Sequence, residues 1–455
     1  MPEGKKRQFF GTDGVRDIAN SGMMRPEPAM RLGAAYTLFL KRQGIEHPVI
    51  AVGRDTRRSG EMLQSALMSG IASAGGSAAD LGVIPTPGVS SVAARNKFDG
   101  GAVISASHNP AEYNGIKFLD RDGFKLTDDD EADIEELFLN EKHLHFAKPT
   151  EIGGVSDGSE YREQYAGLLK EVLKEIEDTS YPIVIDAANG AASAFVEPLF
   201  SGWRGGVTFI GNNPDGVNIN REVGVTHIGT LASEVIKRGA SLGIAYDGDT
   251  DRVLLCDSRG RTLDGDIMLW VIGRWLAKRG MLGAGVTATV MSNMVLEDLL
   301  AEEGIKVFRC PVGDRYVLDT MRREGGRIGG EQSGHIIALE YANTGDGLCS
   351  GILFLKAVTE LGEDISTLAD RFERYPQVLR NMKVDDKERI MSSSEVAAAA
   401  AEAERLLAGR GRMLLRPSGT EPLIRIFAES RDAELMNSAA DIMEAAIKKA
   451  VASHG

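Results

Sequence analysis

Gly101-Ala102-Val103-Ile104-Ser105-Ala106-Ser107-His108-Asn109-Pro110 sets a short apolar run directly before a small polar loop that ends in proline. The pattern reads as a buried strand handing its side chains to a loop at the strand's end. Ser107 beside His108 is a candidate nucleophile with a partner. The same letters also spell an ordinary Ser/Asn/Pro turn. The stretch alone does not decide between them.

Working outward, a related pattern recurs along the chain. An apolar strand at 49–52 runs into a turn at 53–60 and a helix to about residue 75. A strand at 183–185, a turn at 186–190 and a helix to about 200 repeat it, as do 286–290, 291–293 and a helix to about 303. Recurrence of one strand–turn–helix unit predicts three α/β domains of related topology. The last stretch reads β-α-β-β-α, with Ser392-Ser393-Ser394-Glu395 capping an Ala/Glu-rich helix. Polar or turn-forming breaks fall at 151–159, 257–260 and 371–376. They predict domains at 1–158, 159–258, 259–372 and 373–455.

At 455 residues, the chain is longer than one hydrophobic core usually supports. A formal net charge of −14 argues against nucleic acid or an anionic membrane surface as the main partner. An anionic substrate in a locally basic cleft stays compatible with it. Cys256, Cys310 and Cys349 are widely separated and show no CxxC spacing, as expected of reduced, structural thiols. With no apolar segment after the basic N-terminus and no run of about 18 apolar residues, a cytoplasmic enzyme is expected.

Four further constellations carry chemistry. Asp247-Gly248-Asp249-Thr250-Asp251-Arg252 follows an apolar run. Alternate carboxylates on a compact loop repel unless a cation lies among them, and an all-oxygen set suits a hard ion, Mg²⁺ foremost. Arg16, Arg54, Arg57, Arg58 and Lys117 lie in or near glycine-bearing turns, where guanidiniums and free N–H groups can hold a phosphate. Glu331, Ser333 and His335 sit between glycines in GEQSGH and can hydrogen-bond sugar hydroxyls; a plain turn fits as well. Arg416-Pro417-Ser418-Gly419-Thr420-Glu421-Pro422, with Arg425 beyond, gathers a guanidinium, hydroxyls and backbone N–H groups suited to a terminal phosphate. An aspartyl phosphatase also carries an Asp-rich motif after a strand, but near its N-terminus and with Thr or Val where this chain has Asp251.

SASHNP, DGDTDR, GEQSGH and RPSGTEP, in this order and spanning nearly the whole chain, resemble the signature loops of the α-D-phosphohexomutase superfamily. GTDGVRD at 11–17, VGDRYV at 312–317 and the GEQSGH form are similar to the branch acting on glucosamine phosphates. The phosphomannomutase/phosphoglucomutase branch typically has GEMSGH. The resemblance implies four domains around a central cleft, three of them related α/β domains with mixed sheets. It implies interconversion of glucosamine 6-phosphate and glucosamine 1-phosphate for cell-wall precursors, with phosphomannomutase/phosphoglucomutase activity as the alternative. By motif position, Ser107 would be the phosphorylated nucleophile, supported by His108. Asp247, Asp249 and Asp251 would bind one Mg²⁺ together with an oxygen of the Ser107 phosphate. Lys117, His335 and Arg16 would be the candidates for general base and acid. Glu331 and Ser333 would contact sugar hydroxyls, and Arg416, Ser418, Gly419, Thr420 and Arg425 the substrate phosphate. A sugar 1,6-bisphosphate would be both intermediate and priming activator. Monomer and homodimer stay equally open.

Overall fold

The apolar run at 100–104 forms a strand in which every residue is buried. It lies inside a six-stranded sheet in a computed structural model that describes residues 7–11, 13–140, 142, 144–176, 180–418 and 421–452. That sheet contains β1 (Val15–Ile18), β2 (Val49–Arg54), β3 (Ser77–Val83), β4 (Gly100–Ile104), β5 (Tyr113–Leu119) and β6 (Val155–Asp157), in the order β1-β5-β4-β2-β3-β6. A second sheet holds β7 (Ile183–Asp186), β8 (Val207–Ile210), β9 (Leu242–Tyr246), β10 (Val253–Asp257) and β11 (Thr262–Leu263), in the order β11-β10-β9-β7-β8. A third holds β12 (Val286–Thr289), β13 (Val307–Cys310), β14 (Ile328–Gly330) and β15 (Ile336–Ala338), in the order β13-β12-β14-β15.

With the edge strands β1, β6 and β11 set aside, the three sheets share one plan. The first strand of each pairs in parallel with the second and the third (β2 with β3 and β4, β7 with β8 and β9, β12 with β13 and β14). The fourth strand then turns back antiparallel to the third. The three α/β domains are therefore related in topology. Each third strand ends in a loop that crosses to its antiparallel neighbour, and those loops are 105–112, 247–252 and 331–335.

The chain divides into two compact units. The three sheets belong to one, residues 1–291 with 303–371. The other comprises residues 292–302 and 372–455. It carries β16 (Gln377–Lys383), β17 (Gly411–Pro417) and β18 (Leu423–Ser430) in the antiparallel order β16-β18-β17, packed against helices Ser394–Leu407 and Ala433–Ala452. This is the expected β-α-β-β-α arrangement.

Three local expectations change. The Asp257–Gly260 turn is a hairpin inside the second sheet, because β11 pairs with β10, so that sheet continues past the expected boundary at 258. The stretch after Gly190 is a 3-10 turn, Ala191–Ala194, followed by a short helix, Val196–Phe200. Pro198 lacks an N–H and fits only the first turn of a helix, so the helix starts late. The expected domain at 259–372 includes helix Val295–Ala301. Its segment instead joins the C-terminal residues: Asn293 Nδ2 donates to Tyr375 O at 3.0 Å and its Oδ1 accepts from Tyr375 N at 3.1 Å. Among the described residues, no helix is long and apolar enough to cross a membrane.

Candidate active site

The 105–112 loop places Ser107 at the carboxyl end of β4, buried and with φ at +50°. A non-glycine residue adopts this conformation only when its surroundings impose it. Ser107 N donates to Ser105 Oγ at 2.9 Å, and Ser105 Oγ donates to Asp55 Oδ2 at 2.6 Å. The two serines thus separate by role: Ser105 is tied into the scaffold, and Ser107 Oγ points to the second sheet's loop, donating to Asp247 Oδ2 at 2.7 Å. His108 Nδ1 lies 3.3 Å from the same hydroxyl. Burial, then the charges of Arg252 and Arg16, hold the His108 pKa below its ordinary value and favour the neutral ring.

The loop after β9 brings Asp247, Asp249 and Asp251 together, all three buried, with one oxygen of each lying within 4.8 Å of the others. Their remaining contacts show which oxygens accept no hydrogen bond. Asp249 Oδ2 accepts from Thr86 Oγ1 at 2.6 Å and from Lys117 Nζ at 3.0 Å, while Asp249 Oδ1 has no partner. Asp251 Oδ2 lies 3.5 Å from His335 Nδ1, and Asp251 Oδ1 has no hydrogen-bond partner. Asp247 Oδ1 accepts from Arg252 N at 3.2 Å. Buried orphan carboxylate oxygens are costly. With one oxygen from each of the three clustered, the loop presents a donor set that fits a divalent oxygen-binding cation. Burial and the neighbouring carboxylates of Asp251 and Asp249 push the Asp247 pKa well up. Burial also opposes charge on Asp251, but the His335 hydrogen bond and nearby cations outweigh it and hold that group low.

Lys117, on β5, is buried with Asp249 on one side and Asp13 Oδ2 at 2.8 Å on the other. Burial works against its charge, but those two carboxylates prevail and raise its pKa. Lys117 therefore enters the site as a cation. Asp13 also pairs with Arg16 and with Lys125, and Lys125 reaches Asp314 at 2.6 Å. Arg16 keeps a buried Nε without a hydrogen-bond partner. His335 is buried, its Nε2 accepting from Gly345 N at 3.2 Å. Burial lowers its pKa, but Asp251 and Asp314 outweigh that, for a net upward shift. The Gly345 amide opposes a proton on Nε2 and fixes the Nδ1-protonated form when the ring is neutral.

The third sheet's loop supplies Glu331 and Ser333. Glu331 Oε1 accepts from Gly313 N at 3.0 Å and Oε2 from Ser333 Oγ at 3.3 Å. Val253 N donates to Gly334 O at 3.1 Å, seating this loop on β10.

Of the anticipated phosphate-binding arginines, three have other work. Arg57 is fully buried, pairs with Asp55 and donates to the carbonyls of Ser107, Asn109, Pro110 and Tyr113. Arg54 bonds Gln64 and Glu61, and Arg58 bonds Asp215 O. The reading of these three as a phosphate cluster is corrected: Asp55 and the carbonyls around Ser107 take up Arg57, Gln64 and Glu61 take up Arg54, and Asp215 O takes a donor of Arg58. In the C-terminal unit, Arg416 and Arg425 face each other across β17 and β18. Ser418 Oγ accepts from Glu421 N at 3.3 Å, and Lys387 Nζ donates to Ser418 O at 2.5 Å. Gly419 and Thr420 lie outside the described residues.

Sequence reasoning passed over Thr86, Asn220, Asp13, Lys125 and Asp314. Thr86 had a signal, since Pro85-Thr86-Pro87 follows directly on an apolar segment. Asn220 had none.

A mixed-sheet trio that ends in a serine loop, a carboxylate loop and a Glu/Ser/His loop defines a phosphohexomutase. Comparison with known families agrees. Residues 7–145, 160–260, 264–375 and 379–446 match, respectively, domains I, II and III and the C-terminal domain of phosphoglucomutase/phosphomannomutase. A phosphoglucosamine mutase of Carboxydothermus hydrogenoformans is 45% identical over 447 residues, covering 97% of this chain and 99% of that protein. That of Bacillus subtilis (strain 168) is 42% identical over 433 residues, covering 94% and 95%. A phosphoglucomutase/phosphomannomutase family protein from Burkholderia thailandensis shares the fold with a TM-score of 0.82 at 23% identity, over 97% of both chains. So does Aspergillus fumigatus N-acetylphosphoglucosamine mutase, solved with GlcNAc-6P and magnesium, with a TM-score of 0.69 at 18% identity over 98% of this chain and 96% of that one. The chain belongs to the phosphoglucosamine mutase family of the phosphohexomutases, which are intramolecular phosphotransferases.

Proposed function

We propose that this chain interconverts glucosamine 6-phosphate and glucosamine 1-phosphate, with Ser107 as the phosphate carrier. The observation that carries the reading is the buried Ser107 hydroxyl held 2.7 Å from Asp247, in a carboxylate cluster where one oxygen each of Asp249 and Asp251 accepts no hydrogen bond. Phosphorylated Ser107 gives its phosphoryl group to the free hydroxyl of the sugar monophosphate: the Ser107 O–P bond breaks and a sugar O–P bond forms. The resulting sugar 1,6-bisphosphate turns around and returns its other phosphoryl group to Ser107. The same bisphosphate, supplied from solution, primes an unphosphorylated chain.

Asp247, Asp249 and Asp251, with a phosphate oxygen on Ser107, would hold one Mg²⁺, which when bound neutralises charge on the transferring group. Lys117 and Arg16 add fixed positive charge where phosphoryl oxygens develop theirs. The incoming hydroxyl must lose a proton and the serine oxygen must regain one. His108, neutral and 3.3 Å from the serine oxygen, and His335, held by Asp251, serve these transfers. Glu331 and Ser333 orient sugar hydroxyls, and Arg416, Ser418, Gly419, Thr420 and Arg425 take the substrate phosphate.

Intact-mass measurement of the purified chain should show one added phosphate that is absent from Ser107→Ala. That variant should lose turnover while keeping the native circular dichroism spectrum. Full activity in Ser107→Ala refutes the assignment. Comparing turnover on glucosamine, glucose and mannose phosphates tests the substrate.

A further inference from the structure

The left-handed backbone of Ser107 needs something to hold it, and two side chains do so by the same contact. Arg57 Nη2 donates to the carbonyls of Ser107 and Asn109, each at 2.9 Å. Asn220 Nδ2 donates to the same two carbonyls at 2.9 and 3.0 Å. Arg57 immediately precedes helix Arg58–Ser73 and fixes the loop from within its own domain. Asn220 arrives from the connection between β8 and helix Ile228–Arg238, in the domain whose sheet carries the carboxylate loop. Its own amide donates to Ala188 O at 2.8 Å, and it is itself buried with φ at +57°. Gly248, between Asp247 and Asp249, completes the fit. A Cβ there would stand 2.6 Å from Ser107 O and 2.9 Å from Asn220 Nδ2. The carboxylate loop, the asparagine amide and the serine carbonyl are thus in van der Waals registry.

We propose that Asn220 is a positioning residue for phosphoryl transfer. Through the carbonyls of Ser107 and Asn109 it fixes the nucleophile's backbone and sets its register against Asp247, Asp249 and Asp251. The proposal rests on Ser107 being the phosphate carrier. Phosphoryl transfer depends on alignment of donor and acceptor oxygens, so a loosened serine loop lowers the rate of the chemical step and leaves the groups that bind the sugar in place.

The test uses Asn220→Gly, which removes the amide yet tolerates φ of +57°, and Asn220→Asp, which keeps the shape but offers no donor when ionised. Rates are expressed per folded, phosphorylated molecule, using intact mass and the melting transition. In both variants kcat should fall at least about tenfold while KM for glucosamine 6-phosphate stays within about threefold. Native kcat per phosphorylated molecule in either variant, or a fall explained entirely by loss of folded protein, overturns the proposal. Phosphate found on Ser107 in these variants keeps that outcome separate from failure of the carrier assignment, which the Ser107→Ala enzyme reports.

Discussion

Replacing Thr86 by valine should weaken metal binding without dismantling the fold. Thr86 reaches Asp249 twice: its backbone N donates to Asp249 O at 2.9 Å, and its Oγ1 donates to Asp249 Oδ2 at 2.6 Å. Valine keeps the first bond and the side-chain volume, and loses only the second. A hydrogen bond to a charged group contributes about 1.5–3 kcal/mol, a ceiling of roughly 10- to 100-fold in an equilibrium constant. Lys117 Nζ still holds the same oxygen at 3.0 Å, so the lower end applies, about tenfold. The sign follows from orientation. With Oδ2 pinned from two sides, Oδ1 is presented to the cation; with one pin removed, the carboxylate swings and its binding geometry is shared among rotamers. The assay is turnover against Mg²⁺ concentration, paired with calorimetric Mg²⁺ binding to the metal-stripped protein. An about tenfold rise in both half-saturation values, with little change in kcat at saturating metal, is expected. Unchanged half-saturation in both measurements would refute the idea that Thr86 orients this ligand.

Two further outcomes follow from buried charges. Lys117→Met leaves Asp249 and Asp13 facing each other without their shared cation; breaking a buried pair in this way costs about 3–5 kcal/mol, so a clear drop in melting temperature should accompany the loss of turnover, and an unshifted melt would show that the pairing is not stabilising. Asp346 caps helix Gly347–Leu361, and burial pushes its pKa up to about 6 from an ordinary 3.8, against the pull of the Cys349 amide and the Tyr165 hydroxyl. The folded state therefore holds this proton more tightly than the unfolded chain. Its stabilising contribution is complete below about pH 3.8 and is lost as pH rises through 6, leaving a cost of order 3 kcal/mol at neutral pH. Asp346→Asn mimics the protonated form, so its melting temperature should gain on the native chain between pH 4 and 7, and a pH-independent difference would contradict the shift.

Much of this architecture is written locally, which is why it was legible. Runs such as Leu242–Tyr246 are apolar throughout because both faces of the strand are covered, and a polar loop must follow where cover ends. What could not be read is where long donors spend their hydrogen bonds. Arg57 looks like an anion ligand because it lies in a glycine-bearing turn. Its partners, the carbonyls of 107, 109, 110 and 113, are some fifty residues away and become neighbours only when β2 and β4 pair. Asn220 is harder still. Nothing around it departs from an ordinary polar connection, and its contacts cross from one domain to another.

The shared strand plan explains why the readable chemistry clusters as it does. In each of the three sheets the functional loop leaves the carboxyl end of the third strand and crosses to its antiparallel neighbour, so equivalent positions carry different chemistry: serine in the first, carboxylates in the second, Glu/Ser/His in the third. Loops outside strand ends are where open α/β sheets place ligands, because backbone N–H groups and side chains are free of ladder pairing there. Three such ends meeting in one buried place bring like charges together, and the intervening cations show how the protein accommodates them. From Asp249 the contacts run through Lys117, Asp13, Lys125 and Asp314, alternating in sign, and on to His335 and Asp251. Asp249 Oδ2 is satisfied by Thr86 and Lys117, Asp251 Oδ2 faces His335, and Asp247 accepts from the Ser107 hydroxyl and the Arg252 amide. Asp249 Oδ1 and Asp251 Oδ1 are left without a hydrogen bond, the latter 3.8 Å from Arg252 Nε. The carboxylate cluster is thus shaped as much by the lysine, histidine and hydroxyl groups that occupy its other oxygens as by the three aspartates that spell it in the sequence.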